Sequence, residues 1–350
     1  MVTSIQIGAR VIGPDRPCFV IAEAGVNHDG GLEKAVRLVE VAVEAGADAV
    51  KFQTFKAERL VTASAAKADY QVRATGSSEP QAQMLRRLEL ADDDHRELMR
   101  QCDRHGILFL STPFDEGSVD LLANLGVQAF KVASGDVTNF PLLIHIASKG
   151  RPVILSTGMS SLGEVEAAVR TLEHAGTREL ALLHCVSNYP AEPGDANLRA
   201  METMARAFRV PVGYSDHTLG IEVTLAAVAL GACVVEKHFT LDRTLPGPDH
   251  HMSLEPDELA TLIRGIRTVE AALGDGRKVA AASEARTAAV ARRSLVARCD
   301  IPKGTVLTED QVVIKRPGSG LPPSMLSQLC SRRLRVDRRA GEQFELVDFE

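Results

Sequence analysis

Short apolar runs recur along the chain up to about residue 270, and a stretch with helical periodicity follows each of them. In these stretches apolar residues return three and four positions apart, as in Leu32-x-x-Ala-Val-x-x-Val, which indicates a helix with one buried face. The pattern predicts strands that alternate with helices. The predicted strands are Cys18–Ala22, Ala49–Gln53, Ile107–Ser111, Ala129–Ala133, Val153–Ser156, Leu180–His184, Val210–Tyr214 and Cys233–Glu236.

Eight strand–helix repeats in about 270 residues match a (β/α)8 barrel, or TIM barrel, in number and length. A doubly wound sheet uses the same alternation and is the main competitor. That fold commonly carries Gly-x-Gly-x-x-Gly after its first strand, and this chain has no such motif there. We therefore predict an α/β barrel domain over residues 1–274.

The alternation stops after Gly274. Residues 275–292 are polar and rich in alanine, and we interpret them as a linker. Beyond Arg293, short strand-like runs begin at Ser294, Ile301, Val312 and Gln343, with turns between them. They predict a small, β-rich domain over residues 293–350, close to the lower size limit for folding alone.

Composition and charge narrow the class of protein. The net charge of −6 is mild and no run of Lys or Arg could follow a phosphate backbone, so no nucleic acid partner is expected. The six cysteines are scattered without Cys-x-x-Cys spacing, which fits reduced thiols. Neither a signal peptide nor an uncharged run of about 18 residues is present. We expect a cytoplasmic protein without a membrane partner.

Polar side chains follow most of the predicted strands, at the barrel face where active sites lie. Two neighbouring strands end beside His217 and His238, and two neutral imidazoles there can hold a divalent metal with positions left open. Two lysines and several hydroxyls at the same face suit a small, doubly charged anion such as a phosphorylated carboxylate. The other residues of this inventory are Glu23, Lys51, Gln53, Thr112, Lys131, Ser134, Asp136, Ser156, Thr157, Ser187, Tyr189 and Ser215.

Each of these residues also has a simpler interpretation. A single Lys or Ser at a strand end is more often solvated than functional, and Asp216 could cap the helix that follows it. His184 lies within a predicted strand, and we interpret it as a hydrogen-bonded core residue instead of a ligand. The joint arrangement, and no single residue, favours a site.

Segments along nearly the whole chain resemble the sialic acid synthases, which condense phosphoenolpyruvate with an N-acylated hexosamine. They are Ile21-Ala-Glu-Ala-Gly-Val-Asn-His-Asp-Gly, Val50-Lys-Phe-Gln-Thr-Phe-Lys, Leu110-Ser-Thr-Pro-Phe-Asp, Phe130-Lys-Val-Ala-Ser-Gly-Asp, Ile154-Leu-Ser-Thr-Gly-Met, Leu183-His-Cys-Val-Ser-Asn-Tyr-Pro, Gly213-Tyr-Ser-Asp-His-Thr, Val235-Glu-Lys-His-Phe-Thr and Pro246-Gly-Pro-Asp-His. Ile314-Lys-Arg-Pro-Gly-Ser-Gly resembles the family's C-terminal antifreeze-like (SAF) domain.

The resemblance implies a role for each residue. His217 and His238 would bind Mn2+, or else Mg2+ or Co2+, which polarises the sugar aldehyde. With Glu23, placed near the enol carbon, they are the expected catalytic residues. Phosphoenolpyruvate would be held by Lys51, Thr112, Lys131, Ser134, Ser156 and Ser215. The sugar would be contacted by Gln53, Asp136, Tyr189 and Asp249, and its acyl group by Arg316 from the neighbouring subunit of a domain-swapped homodimer.

The activity implied first is that of an N-acetylneuraminate synthase acting on N-acetylmannosamine. The alternative is an N,N'-diacetyllegionaminate or pseudaminate synthase acting on a 2,4-diacetamido-trideoxy hexose. Ser187 and Asp136 stand where some members carry Asn and Glu, which leaves the sugar open. A carbohydrate-binding protein is disfavoured because binding alone needs no such paired histidines and lysines. A synthase of seven- or eight-carbon sugar acids is disfavoured because those relatives lack the tail arginine.

Overall fold

The computed structural model describes residues 4–77 and 79–350. The chain divides into two compact units, of which the first ends at Gly274 and the second is Asp275–Glu350. The predicted linker, residues 275–292, lies within the second unit, so the boundary at residue 293 stays a prediction. Among the described residues, no helix combines the length and the apolar character that a membrane crossing requires.

The first unit is a near-closed barrel of eight parallel strands, which confirms the predicted fold. An antiparallel hairpin of β1 (Ile5–Ile7) and β2 (Arg10–Ile12) precedes it. The barrel strands are β3 (Phe19–Gly25), β4 (Ala49–Thr54), β5 (Leu108–Pro113), β6 (Phe130–Val132), β7 (Val153–Ser156), β8 (Leu180–Cys185), β9 (Val212–Asp216) and β10 (Val234–His238). They pair in the order β5-β4-β3-β10-β9-β8-β7-β6, and β5 and β6 lie side by side where the ring closes.

Helices surround the strands. They are α1 (Leu32–Ala45), α2 (Ala57–Leu60), α3 (Asp69–Thr75), α4 (Gln81–Arg87), α5 (Asp92–His105), α6 (Glu116–Leu125), α7 (Phe140–Ala147), α8 (Leu162–His174), α9 (Ala200–Phe208), α10 (Glu222–Ala229) and α11 (Pro256–Leu273). In α8 the positions that the periodicity predicts to be apolar and inward, Val165, Ala168, Val169 and Leu172, are all buried. Its first turn is stabilised by a capping box between Ser161 and Glu164. The three short helices α2, α3 and α4 were not predicted.

The strand residues alternate between two apolar clusters, because successive side chains of a strand point to opposite faces. Val20 of β3 packs against the surrounding helices, whereas its neighbour Ile21 points into the barrel. There Ile21 belongs to a cluster that includes the three isoleucines of the β1–β2 hairpin. Glu23 is two residues further along β3, so its side chain also points into the barrel. The barrel interior is therefore apolar at one end and polar at its C-terminal mouth.

The second unit has a small core of its own, which includes Leu295, Leu334 and Phe344. It contains α12 (Ala285–Ala291), the antiparallel pair β11 (Ser294–Ala297) and β12 (Val312–Lys315), and α13 (Leu326–Leu329). The strands predicted from Ile301 and Gln343 are wrong as extended elements. Each segment forms isolated β-bridges, in which the backbone hydrogen bonding to a neighbour does not extend beyond one residue pair.

Candidate active site

A cavity of about 450 Å³ opens at the C-terminal ends of the barrel strands. Thirteen of the residues named from the sequence line it: Glu23, Lys51, Gln53, Thr112, Lys131, Ser134, Ser156, Ser187, Tyr189, Ser215, His217, His238 and Asp249. Parallel strands end at one edge, so residues far apart in sequence meet there. The cavity is therefore the candidate active site.

The register of three neighbouring strands sets the centre of the cavity. Glu23 of β3 stands opposite Lys51 of β4 on one side and His238 of β10 on the other. The Lys51 Nζ lies 2.7 Å from the Glu23 Oε2 and donates a hydrogen bond of 3.0 Å to Thr112 Oγ1. These side chains are almost fully buried. A carboxylate thus lies between an ammonium group and an imidazole.

Sequence reasoning missed Glu236, which lies between the two lysines of the site. Its Oε1 is 3.6 Å from the Nζ of Lys131 and its Oε2 is 3.7 Å from the Nζ of Lys51. Ser215 Oγ donates to it at 3.0 Å. Strand alternation could have revealed this residue, because positions two apart on a strand point to the same side and Glu236 precedes His238 by two.

The two carboxylates of the cavity have opposite pKa shifts. Burial raises the pKa of Glu23 to about 7, although Lys51 opposes the rise. Burial also disfavours the charge of Glu236, but Lys131 and Lys51 outweigh it and lower the pKa. The site therefore holds one carboxylate that titrates near neutral pH and one that stays ionised, as acid–base sites commonly do.

The pKa values of the two lysines are also shifted in opposite directions. Burial opposes the charge of Lys51, but Glu23 and Glu236 outweigh it and raise its pKa. Burial lowers the pKa of Lys131, which Glu236 only partly offsets. The Nζ of Lys131 donates to Ser156 Oγ at 2.7 Å. Two amine groups, each with a hydroxyl partner, give this side of the cavity a chemistry that suits an anion.

The histidines meet across β9 and β10, with ring centroids 5.5 Å apart. His217 Nδ1 donates to the carbonyl oxygen of Val186 at 2.7 Å, which leaves the Nε2 lone pair free to bind. Burial lowers the pKa of both rings, which favours their neutral form. The buried His238 Nδ1 has no hydrogen-bond partner among the described residues. Two neutral imidazoles with available nitrogens fit a divalent metal ion.

A buried ion pair lies on the outer side of the same strands, at the residues that directly precede the two histidines. Asp216 Oδ2 lies 2.8 Å from the Nζ of Lys237, and both side chains are buried. Asp216 also accepts hydrogen bonds from Thr218 and Thr224. The interpretation of Asp216 as the cap of the next helix is wrong, because α10 begins after Ile221. Asp216 instead joins β9 to β10 directly behind the histidines.

An aromatic stack extends from the histidines toward the outer mouth. Tyr189 packs on His217 with centroids 4.2 Å apart, and Tyr70 packs on Tyr189 at 5.0 Å. Asp249, which is buried beside this stack, has its pKa raised to about 6 by burial. Tyr70 was not among the predicted site residues, because it lies on the unpredicted helix α3.

The loops after β6, β7 and β8 approach each other closely at Gly158. A Cβ there would lie 2.3 Å from Ser187 Oγ and 2.9 Å from the Sγ of Cys185. The Gly158 N–H donates to Ser134 Oγ at 2.9 Å. Gly135 has open space where its side chain would be, on the cavity wall. Gly158 and Cys185 were not named as site residues from the sequence, although both stand within segments that resemble the sialic acid synthases.

Besides Asp216, four of the residues discussed from the sequence lie outside the cavity lining. Asp136 accepts a hydrogen bond from Asn139, and Thr157 donates to the carbonyl oxygen of Leu183. His184 bonds to the carbonyl oxygen of Ala196, in line with a structural role. Arg316 is exposed in the second unit, so its proposed reach to another subunit stays a prediction.

The fold and this mouth define a (β/α)8-barrel enzyme whose site is assembled from several strand ends. The profile of the NeuB family matches residues 38–278 and that of the SAF domain matches residues 292–350, and the chain belongs to the NeuB family. It is therefore a phosphoenolpyruvate-dependent nonulosonic acid synthase, a transferase. Enzymes of this family use a divalent metal.

Two relatives and one solved structure illustrate the similarity. The chain is 48% identical to N,N'-diacetyllegionaminic acid synthase of Legionella pneumophila, over 95% of each chain. It is 50% identical to the enzyme of the same name from Campylobacter jejuni, over 87% of this chain and 91% of the relative. The crystal structure of N-acetylneuraminic acid synthetase from Leptospira borgpetersenii in complex with citrate is 38% identical, with a TM-score of 0.72 over 82% of this chain and 95% of that one.

Proposed function

We propose that this enzyme condenses phosphoenolpyruvate with a 2,4-diacetamido-2,4,6-trideoxy hexose to form N,N'-diacetyllegionaminate and phosphate. The observation that carries the proposal is the higher identity to two enzymes named for that product than to the N-acetylneuraminic acid synthetase. It favours the alternative over N-acetylmannosamine, the acceptor that the resemblance implied first.

We assign phosphoenolpyruvate to the lysine side of the cavity. Lys51 with Thr112 and Lys131 with Ser156 supply two charged, hydroxyl-supported donors for the phosphate and the carboxylate. Ser134 and Ser215 add hydroxyls to the same wall. The open space at Gly135 lets an anion approach the backbone closely.

The reaction forms a bond between C3 of phosphoenolpyruvate and the sugar's aldehyde carbon, while C2 becomes cationic. The aldehyde oxygen takes up a proton, and water adds to C2 with the loss of a proton. Cleavage of the bond between C2 and the phosphate oxygen then releases phosphate and leaves the keto acid. We assign the proton transfers to Glu23, because its pKa of about 7 allows it to hold or release a proton near neutral pH. Glu236 stays ionised and orients the two lysines.

We assign the divalent metal to His217 and His238, with Mn2+ as the first candidate and Mg2+ or Co2+ as alternatives. When bound, it would polarise the sugar aldehyde. His217→Ala should abolish metal-dependent turnover without unfolding the barrel. Equilibrium dialysis with Mn2+ checks the assignment, and full turnover in the presence of a chelator would contradict it.

We also propose a homodimer in which Arg316 reaches the partner's acceptor site. The test mixes His217→Ala, which should be inactive, with Arg316→Ala, which should bind the sugar weakly, after unfolding and refolding them together. Activity is measured at a sugar concentration at which neither variant alone turns over appreciably. If the site combines residues of two subunits, mixed dimers contain one intact site and recover part of the activity. Refolded mixtures that stay inactive, while refolded wild type recovers, would contradict the swapped arrangement.

The acceptor is tested by the release of phosphate from phosphoenolpyruvate with each sugar. We expect the trideoxy sugar to have the higher kcat/KM, and N-acetylmannosamine to be a poor substrate. A higher kcat/KM for N-acetylmannosamine would contradict the proposed acceptor. Lys131→Met, which removes an anion-binding charge, should reduce the release with either sugar and serves as the control for background hydrolysis.

A further inference from the structure

The chain makes a long excursion between β4 and α5, here called the β4–α5 excursion (residues 55–77 and 79–91). It carries α2, α3 and α4 and contributes one wall of the cavity. The stack from His217 through Tyr189 to Tyr70 leads from the metal-binding end to this wall. An acceptor with its aldehyde at the histidines would extend along the stack toward the excursion.

We propose that the β4–α5 excursion forms a binding subsite for the second acetamido group and the deoxygenated end carbon of the acceptor. This inference rests on the proposed function, because N-acetylmannosamine has neither group. It assigns the discrimination between the two sugars to residues of α2, α3 and α4.

One half of the wall is apolar. Met84 and Leu85 of α4 are buried and line the cavity, and they pack in a cluster with Val26 of the loop after β3. Leu60 and Val61 line the same cavity and are half-buried. An apolar wall accepts methyl groups and offers no partner to a hydroxyl, so it favours a deoxygenated carbon.

The other half of the wall consists of two uncharged amides. Gln71 Oε1 accepts from Gln81 Nε2 at 3.2 Å and from the Ala68 N–H at 3.1 Å. Gln81 Oε1 has no hydrogen-bond partner among residues 4–77 and 79–350. Because Gln81 lines the cavity, this oxygen can accept the N–H of an acetamido group. No charged side chain among the described residues of the excursion lines the cavity.

The wall is held together by a buried cation. Lys67 Nζ donates to Thr75 Oγ1 at 2.8 Å, to the Ser77 carbonyl oxygen at 3.1 Å and to Glu79 Oε1 at 3.0 Å. Arg87 of α4 binds the same Glu79 carboxylate through two hydrogen bonds. These contacts connect the segment around α3 to α4. The two halves of the subsite are therefore positioned before any sugar binds, which reduces the entropy lost on binding.

The test measures kcat/KM for N-acetylmannosamine, for 2,4-diacetamido-2,4,6-trideoxymannose and for its 6-hydroxy analogue. For each diacetamido sugar we compare its kcat/KM with that of N-acetylmannosamine. Gln81→Ala should lower this ratio about tenfold, because one hydrogen bond to the sugar is lost. Val61→Asn should lower the ratio for the trideoxy sugar over its 6-hydroxy analogue by roughly tenfold. Gln83→Ala, an exposed glutamine on the same helix, is the matched control and should change neither ratio.

Two outcomes separate this inference from the proposed function. A wild-type enzyme that prefers N-acetylmannosamine would refute the proposed function, and the subsite with it. A wild-type preference for the trideoxy sugar that survives unchanged in Gln81→Ala and Val61→Asn would refute the subsite alone. Thermal unfolding verifies that each variant folds, and Gln81→Asn, which keeps an amide on a shorter side chain, replaces Gln81→Ala if that variant does not.

Discussion

The buried pair of Asp216 and Lys237 should determine both the stability of the barrel and its affinity for metal. The Asp216 Oδ2 and the Lys237 Nζ are 2.8 Å apart, with side chains 0% and 2% exposed. At an effective dielectric constant of about 20, two unit charges at this distance attract each other by about 6 kcal/mol, most of which their desolvation offsets. Asp216→Asn leaves the ammonium group buried without a counter-charge. We expect the free energy of unfolding to fall by about 3–5 kcal/mol.

A double-mutant cycle measured by urea unfolding checks this value. Asp216→Asn combined with Lys237→Met removes both charges, so the double variant should be more stable than Asp216→Asn, with a coupling energy of about 2–3 kcal/mol. The more exposed pair of Asp120 and Lys149, 2.6 Å apart with side chains 51% and 22% exposed, is the control. Asp120→Asn should cost less than about 1 kcal/mol.

The same variants test the connection to the histidines. Asp216 and Lys237 directly precede His217 and His238, so a loosened contact between β9 and β10 should weaken Mn2+ binding by roughly 10–100-fold. Equilibrium dialysis measures this affinity in protein that spectroscopy shows to be folded. If the stability losses of the two single variants simply add in the double variant, the predicted pairing energy is wrong. An unchanged Mn2+ affinity in a destabilised Asp216→Asn would refute the positioning role.

Three further changes have defined outcomes. Gly158→Ala should raise the KM for phosphoenolpyruvate at least about tenfold, because the new Cβ would lie 2.3 Å from Ser187 Oγ. Gly163 has open space around it, so Gly163→Ala is the control and should change steady-state kinetics little. Ionisation of Glu23 should destabilise the fold as pH rises, because its pKa in the folded protein, about 7, exceeds the ordinary 4.5. The stability that this group contributes below pH 4.5 is lost by about pH 7. Glu23→Gln should flatten that part of the pH profile, which urea unfolding measures. Lys67→Met should raise the KM for the sugar several-fold and speed proteolysis of the β4–α5 excursion, while an unchanged sugar KM would contradict its role in holding the subsite.

Strand and helix positions in the barrel could be predicted from local pattern, because burial on one or both faces forces a period on the sequence. The predicted strand at Cys233–Glu236 overlaps β10, but β10 continues to His238. Polar residues such as Glu236, Lys237 and His238 interrupt the apolar run there, although they are buried. Apolar pattern alone therefore ends a strand too early where the site begins.

The excursion after β4 shows the opposite limit. Its helices α2 and α4 are four and seven residues long, and α3 is seven. Segments of that length carry too few turns for a clear period, and contacts such as those of Lys67 hold them in place. Tyr70 and Gln81 could not be assigned to the site without those contacts.

By itself, the sequence determined the alternation of strands and helices, the inward direction of residues two apart on a strand, and the set of chemical groups at the strand ends. These are properties of neighbours along the chain, and the periods of the strand and the helix express them directly. Only the tertiary structure decided which of these groups share one cavity, why Glu23 titrates near neutral pH while Glu236 stays charged, and that Asp216 pairs with Lys237 behind the histidines. Those properties depend on distances and burial created when the barrel closes, and Coulomb and desolvation energies follow distance in space and not separation in sequence.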